Sequence, residues 1–94
     1  MAYDVLVIGD ALVDIYLFIQ NTNEHYHIDK KNSDVCLTLG AKIPVDDAQF
    51  FLGGNACNVS VSLSRLGLRA GLVAETGDDE FSKKIITGLR KERV

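Results

Sequence analysis

From Asn55 to Leu89 the chain alternates an amphipathic helix, a short apolar strand and a second helix with scarcely a residue to spare, and few folds accept that order. Ala56, Val59, Leu63 and Leu66 recur at helical spacing, Ser60, Ser64 and Arg65 take the other side, and Gly67 supplies a stop. "AGLVAE", residues 70 to 75, reads as a short buried strand. Thr76-Gly77-Asp78-Asp79 opens a second helix whose inner face carries Phe81, Ile85 and Leu89. Lys84, Arg90 and Lys91 bias positive charge toward its C-terminal half, which suits the helix dipole, while Gly88 weakens its interior by about 1 kcal/mol.

Upstream, "YDVLVI" at 3 to 8 is a buried strand that stops at Gly9-Asp10, and "LVDIYLFI" alternates as a second strand. Strand, helix, strand, helix predicts a βαβα unit on a parallel sheet. Asp14 sits in the second strand on the face of Tyr16, and an acid among apolar neighbours needs a polar partner. Residues 20 to 34 are polar and aperiodic, a loop or insertion with a little strand around Tyr26. "VCLTL" and "KIPVD" flank Gly40-Ala41 and suggest a type II' hairpin, with Pro44 confining its second strand to an edge.

Composition excludes several classes. With 47% hydrophobic and 24% charged residues the chain is not largely disordered, and a net charge of -3 gives no support to a nucleic-acid or membrane-surface partner. Asp4, Asp10 and Asp14 interrupt the apolar N-terminus, which has no basic start, so neither a signal peptide nor a membrane span is expected. Cys36 and Cys57 lack metal or disulfide spacing and read as reduced, buried or half-buried thiols of a cytoplasmic protein. His25 and His27 lie two apart, as a metal pair would, and Asp78, Asp79 and Glu80 cluster; a solvated loop and helix-start acids are the simpler readings, and no metal site is expected.

The stretch "GGNACNVSVSLSRLG", residues 53 to 67, carries the functional question. Gly53-Gly54 lets backbone approach a ligand, Asn55 is placed to cap the helix, Asn58 lies one turn in, and free N–H groups at a helix start suit an anion or a polyhydroxyl ligand. A plain turn and cap is an equal alternative on these grounds. The phosphate-loop and dinucleotide glycine patterns are both absent, which disfavours an NAD-binding enzyme.

The same stretch resembles the N-terminal signature of the ribokinase-like carbohydrate kinases, the PfkB family: Gly-Gly, a short spacer, Asn, then a small-residue helix ending in Arg-Leu-Gly. "VLVIGDALVDI" is similar to that family's opening strand with its acid, and "LVAETGDDEFSKKIITGLRKERV" to the strand, Gly-Asp-Asp and helix that follow the signature. The resemblance implies a ribokinase-like α/β fold, a parallel, Rossmann-like βαβ sheet with a small β-hairpin lid, and residues 1 to 94 as its N-terminal part, with 20 to 52 as insertion and lid. It implies ATP-dependent phosphorylation of a sugar or nucleoside hydroxyl, with Mg²⁺. Asp14 and Asn58 would bond the acceptor's hydroxyls, Gly53 and Gly54 would wall it closely, and Asn55 is a weaker candidate. The lid would also pair two subunits into a homodimer. The family's catalytic base and nucleotide pocket belong to a later Gly-Ala-Gly-Asp stretch that these residues lack, so they hold no catalytic residue and alone are expected to be inactive and prone to associate. A non-catalytic ligand-binding or dimerisation module is the alternative.

Overall fold

A computed structural model describes residues 2–19 and 24–94. Gln20 to Asn23, part of the polar stretch expected to be loop, lie outside the described residues. The elements in chain order are β1 (Val5–Ile8), β2 (Leu12–Phe18), β3 (Tyr26–Asp29), β4 (Asp34–Leu37), β5 (Asp47–Gly53), α1 (Asn55–Arg65), β6 (Ala70–Val73) and α2 (Glu80–Lys91). They divide between two compact units, Met1–Asp14 with Phe50–Val94, and Ile15–Gln49. Strands β2 and β5 pair with each other and contribute residues to both.

In the first unit β1 and β6 pair in parallel, with Val5 opposite Ala70 and Ile8 opposite Val73, as the βαβ order requires of strands joined through a helix. The core gathers Ala11, Cys57 and Ile85, with Val13, Leu52, Val61, Leu72, Ala74 and Leu89 packed around them. Helix α1 buries Ala56, Cys57 and Ser60, while Val59 and Leu66 are exposed. Of the expected apolar stripe Ala56 is buried and Leu63 half-buried, and the buried face turns from Val59 and Leu66 toward Cys57 and Ser60. Small side chains bring α1 close to the sheet, and Ser60 tolerates complete burial because its hydroxyl donates to the Ala56 carbonyl at 2.7 Å.

Helix α2 begins with a reciprocal cap: the Ser82 N–H donates to Asp79 Oδ1 at 2.9 Å, and the Asp79 N–H donates to Ser82 Oγ at 3.1 Å. Ser82 and Ile85 are buried and Leu89 packs on the core, but Phe81 is exposed and pairs with Phe50, ring centroids 6.0 Å apart. Gly88 has a packing reason, since a β-carbon there would stand 2.8 Å from Leu52 Cδ1. At the far ends, Arg65 Nε donates to Glu92 Oε2 at 2.8 Å and Ser64 Oγ to the Glu92 carbonyl at 2.5 Å, joining the termini of the two helices. The Arg65 guanidinium holds the Glu92 carboxyl below the usual carboxylate range.

In the second unit the hairpin differs from expectation. β4 pairs antiparallel with β3, Tyr26 opposite Leu37, and residues 42 to 46 form no strand. Asp29 makes that hairpin: its carboxylate accepts from the Lys31 and Asn32 N–H groups at 3.0 and 3.3 Å and from Asn32 Nδ2 at 2.8 Å, closing the turn locally. Gly40 does lie in a turn, but at the third position, with φ of 76° and the Ala41 N–H donating to the Thr38 carbonyl at 3.2 Å. This is the geometry of a type II turn and not of type II', so it redirects the chain without pairing the strands beside it. Tyr26 is buried in this unit, whereas Val35, Leu37 and Leu39 are exposed. Cys36 is exposed as well, against the expectation of a buried thiol, because it faces outward on the short hairpin.

Candidate functional site

The end of β5, the start of α1 and the β1–β2 turn converge in the first unit. Asp14 is half-buried on β2, and Gly53, the last residue of β5, is buried against it. A β-carbon on Gly53 would lie 2.5 Å from the Asp14 carboxyl carbon, so the absence of a side chain is what lets backbone and carboxylate meet. Gly54 follows as the residue before the helix, with φ of 93° and ψ of 143°, a conformation that glycine adopts without the steric cost of a β-carbon.

Gly54 thus occupies the capping position, and Asn55 is already the first helical residue with no capping hydrogen bond. The expected Asn55 cap is replaced from elsewhere in the chain. The Ala56 N–H donates to Asp10 Oδ1 at 3.2 Å and the Cys57 N–H to the Asp10 carbonyl at 3.1 Å, so one residue of the β1–β2 turn takes both groups. These donors are not available to an anion. No local pattern announces this role for Asp10, since the Ala56 amide that its carboxylate caps lies 46 positions further along the chain.

Asn58 stands one turn into α1, exposed, with its N–H donating to the Gly54 carbonyl at 3.0 Å. It lines a cavity of about 380 Å³ together with Phe51, Leu52, Val61, Ser62 and Arg65, in which Asp14 has no part. The structure therefore brings Asp14 to Gly53 and links Asn58 to Gly54 through the helix. Burial, and then the charge of Asp10, push the Cys57 thiol up, so the sulfur beneath this helix start stays protonated.

A carboxylate that accepts and an amide that both donates and accepts are groups that orient alcohol hydroxyls without reacting with them. Among the described residues no group of three or more His, Cys, Asp or Glu is placed to hold a metal ion, and Asp10 Oδ1 is taken by the Ala56 N–H. Asp79 serves as a helix cap, and His25 lies 3.3 Å from the Glu24 carboxylate.

Comparison with known proteins agrees with the architecture. The structure is similar to that of Halothermothrix orenii fructokinase, with a TM-score of 0.63 and 25% identity over 97% of this chain and 26% of that one. In sequence it is 34% identical over 44 residues to 5-dehydro-2-deoxygluconokinase of Clostridium perfringens, and 48% identical over 42 residues to a protein of Arabidopsis thaliana named probable fructokinase-2. Those alignments take in 47% and 45% of this chain, and each spans 13% of the relative's own length. The family model of the pfkB carbohydrate kinases matches residues 4–94, nearly every residue from β1 to the end of α2, and the chain belongs to that family.

Proposed function

We propose that the full-length polypeptide transfers the γ-phosphate of ATP, with Mg²⁺, to a hydroxyl of a sugar or related nucleoside, and that residues 1 to 94 supply the acceptor-binding part. The observation that carries this reading is the contact of Gly53 with the Asp14 carboxylate at the start of α1. An acceptor lying across Gly53 and Gly54 meets a carboxylate on one side and the helix turn bearing Asn58 on the other. Asn55, exposed at the first helical position, is the outermost candidate. ATP and Mg²⁺ are held by residues outside this segment, and no step of the chemistry is assigned to side chains within it.

The test is ATP-dependent phosphorylation by the full-length polypeptide of D-fructose, 5-dehydro-2-deoxy-D-gluconate, D-ribose and adenosine. The relatives' names point to the first two. Turnover of one of them with release of ADP supports the reading; binding without turnover supports a non-catalytic module instead.

The unit Ile15–Gln49 favours a homodimer contact, since Val35 and Leu37 on β4 and the wholly exposed Leu39 offer apolar surface beside a strand edge. A Leu37→Asp variant that converts a dimer into a monomer in native mass measurement supports this role. The free thiols Cys36 and Cys57 fit a cytoplasmic location. No helix among the described residues is long and apolar enough to cross a membrane.

A further inference from the structure

We infer that Asp10 is a positioning residue of the acceptor site, a role that rests on the acceptor reading above. Two hydrogen bonds and two close backbone approaches converge on the turn that carries it. Its carboxylate takes the Ala56 N–H at 3.2 Å and its carbonyl takes the Cys57 N–H at 3.1 Å, which are the second and third amides of α1. A β-carbon on Gly54 would stand 2.9 Å from the same carbonyl oxygen, so the backbone before the helix is pressed onto Asp10. One residue earlier, a β-carbon on Gly9 would stand 2.7 Å from the Ala56 β-carbon, so the turn and the helix touch on both sides of Asp10.

The consequence follows from which residues these contacts connect. Asp14 lies four positions after Asp10 on β2, and Asn58 lies two positions after Ala56 on α1. Strands β2 and β5, which carry Asp14 and Gly53, pair with each other; Asp10 adds a direct hydrogen-bonded link from the β1–β2 turn to the start of α1, and Gly54 cannot substitute for it because glycine has no side chain to cap with. Without that link the first turn of α1 frays and Asn58 loses its fixed place relative to Asp14. Asp10 contributes to affinity for the acceptor by holding the helix start, since Oδ1 and the carbonyl are both engaged by helix amides. The negative charge also suits the positive end of the helix dipole, which strengthens the link.

The test uses the full-length polypeptide, ATP with Mg²⁺, and whichever compound of the panel above it phosphorylates fastest. Asp10→Ala is expected to raise the acceptor KM about tenfold, with the KM for ATP changed less than about twofold. Amide hydrogen exchange at Ala56 and Cys57 should accelerate in the same variant. Asp10→Asn keeps an oxygen at the capping position and is expected to restore both readouts. Asp10→Ser, a shorter cap, falls between and carries the comparison if the alanine variant does not fold. If Asn58→Ala raises the acceptor KM while Asp10→Ala, or Asp10→Ser in its place, does not, the inference is overturned and the acceptor reading survives. If Asn58→Ala and Asp14→Ala are silent, the acceptor reading itself has failed and the inference falls with it.

Discussion

The backbone of Gly53 lies so close to Asp14 that a β-carbon on the glycine would sit 2.6 Å from Oδ1 and 2.5 Å from the carboxyl carbon. The displaced group is the end of a short polar side chain, which moves at less cost than backbone. Gly53→Ala is therefore expected to change unfolding free energy by about 1 kcal/mol or less while raising the acceptor KM about tenfold in the full-length polypeptide, if the proposed function holds. Denaturant titration and steady-state kinetics on the same preparation check it; a large stability loss with an unchanged KM contradicts it.

Gly88 poses a question of sign. Helix propensity alone makes Gly88→Ala stabilising by about 1 kcal/mol, but Leu52 occupies the space at 2.8 to 3.1 Å. Overpacking of this kind costs about 1–3 kcal/mol, so the variant is expected to be destabilised on balance. A lower midpoint in urea at unchanged m-value checks this, and a raised midpoint shows that Leu52 yields freely.

These two glycines mark the limit of what the sequence discloses. Local pattern was enough for β1, β2, α1, β6 and α2, because each is announced by periodicity or a terminal signal within a few residues. The βαβα order and the family signature in 53 to 67 also carried the fold class. Of the buried face of α1 only Ala56 was legible, since Cys57 and Ser60 are chosen for smallness against a sheet that pattern alone does not show. The hairpin was not legible either: Asp29 closes its turn through side-chain contacts, while the more conspicuous Gly40 forms a turn of the other type. The Asp10 cap was out of reach for the same reason, because its partners lie far along the chain.

The Asp4–Arg69 pair sets an acid limit. Hydrogen bonding to Arg69, from its side chain and then its backbone, lowers the Asp4 carboxyl from 3.8 to about 2. A lowered folded-state value means the pair's contribution is fully present above 3.8, and is lost as pH falls through about 2. Arg69→Gln is thus expected to be less stable than the native chain at pH 6, with the difference shrinking steadily as pH falls from 3.8 toward about 2. Urea midpoints over this range check this; a difference that does not shrink in acid contradicts it. Because both partners are largely open to solvent, added salt is expected to shrink the difference at pH 6.

The two thiols should part in reactivity. Cys36 is exposed on β4, while Cys57 is fully buried and its thiol is pushed up by burial and by Asp10. Iodoacetamide near pH 8 is expected to modify Cys36 at least about tenfold faster than Cys57, read by mass spectrometry of the digested protein. Equal rates indicate that the start of α1 opens readily.

The proposed role of Asp14 in holding the hydroxyls of a phosphoryl acceptor is tested by kcat/KM for the preferred acceptor in the full-length polypeptide, native against Asp14→Asn, with ATP saturating. Loss of a carboxylate that accepts two hydroxyl hydrogen bonds is expected to lower kcat/KM about 100-fold with the fold intact by circular dichroism. An Asp14→Asn enzyme that keeps its native kcat/KM contradicts the account and leaves Asp14 as a structural acid beside Gly53.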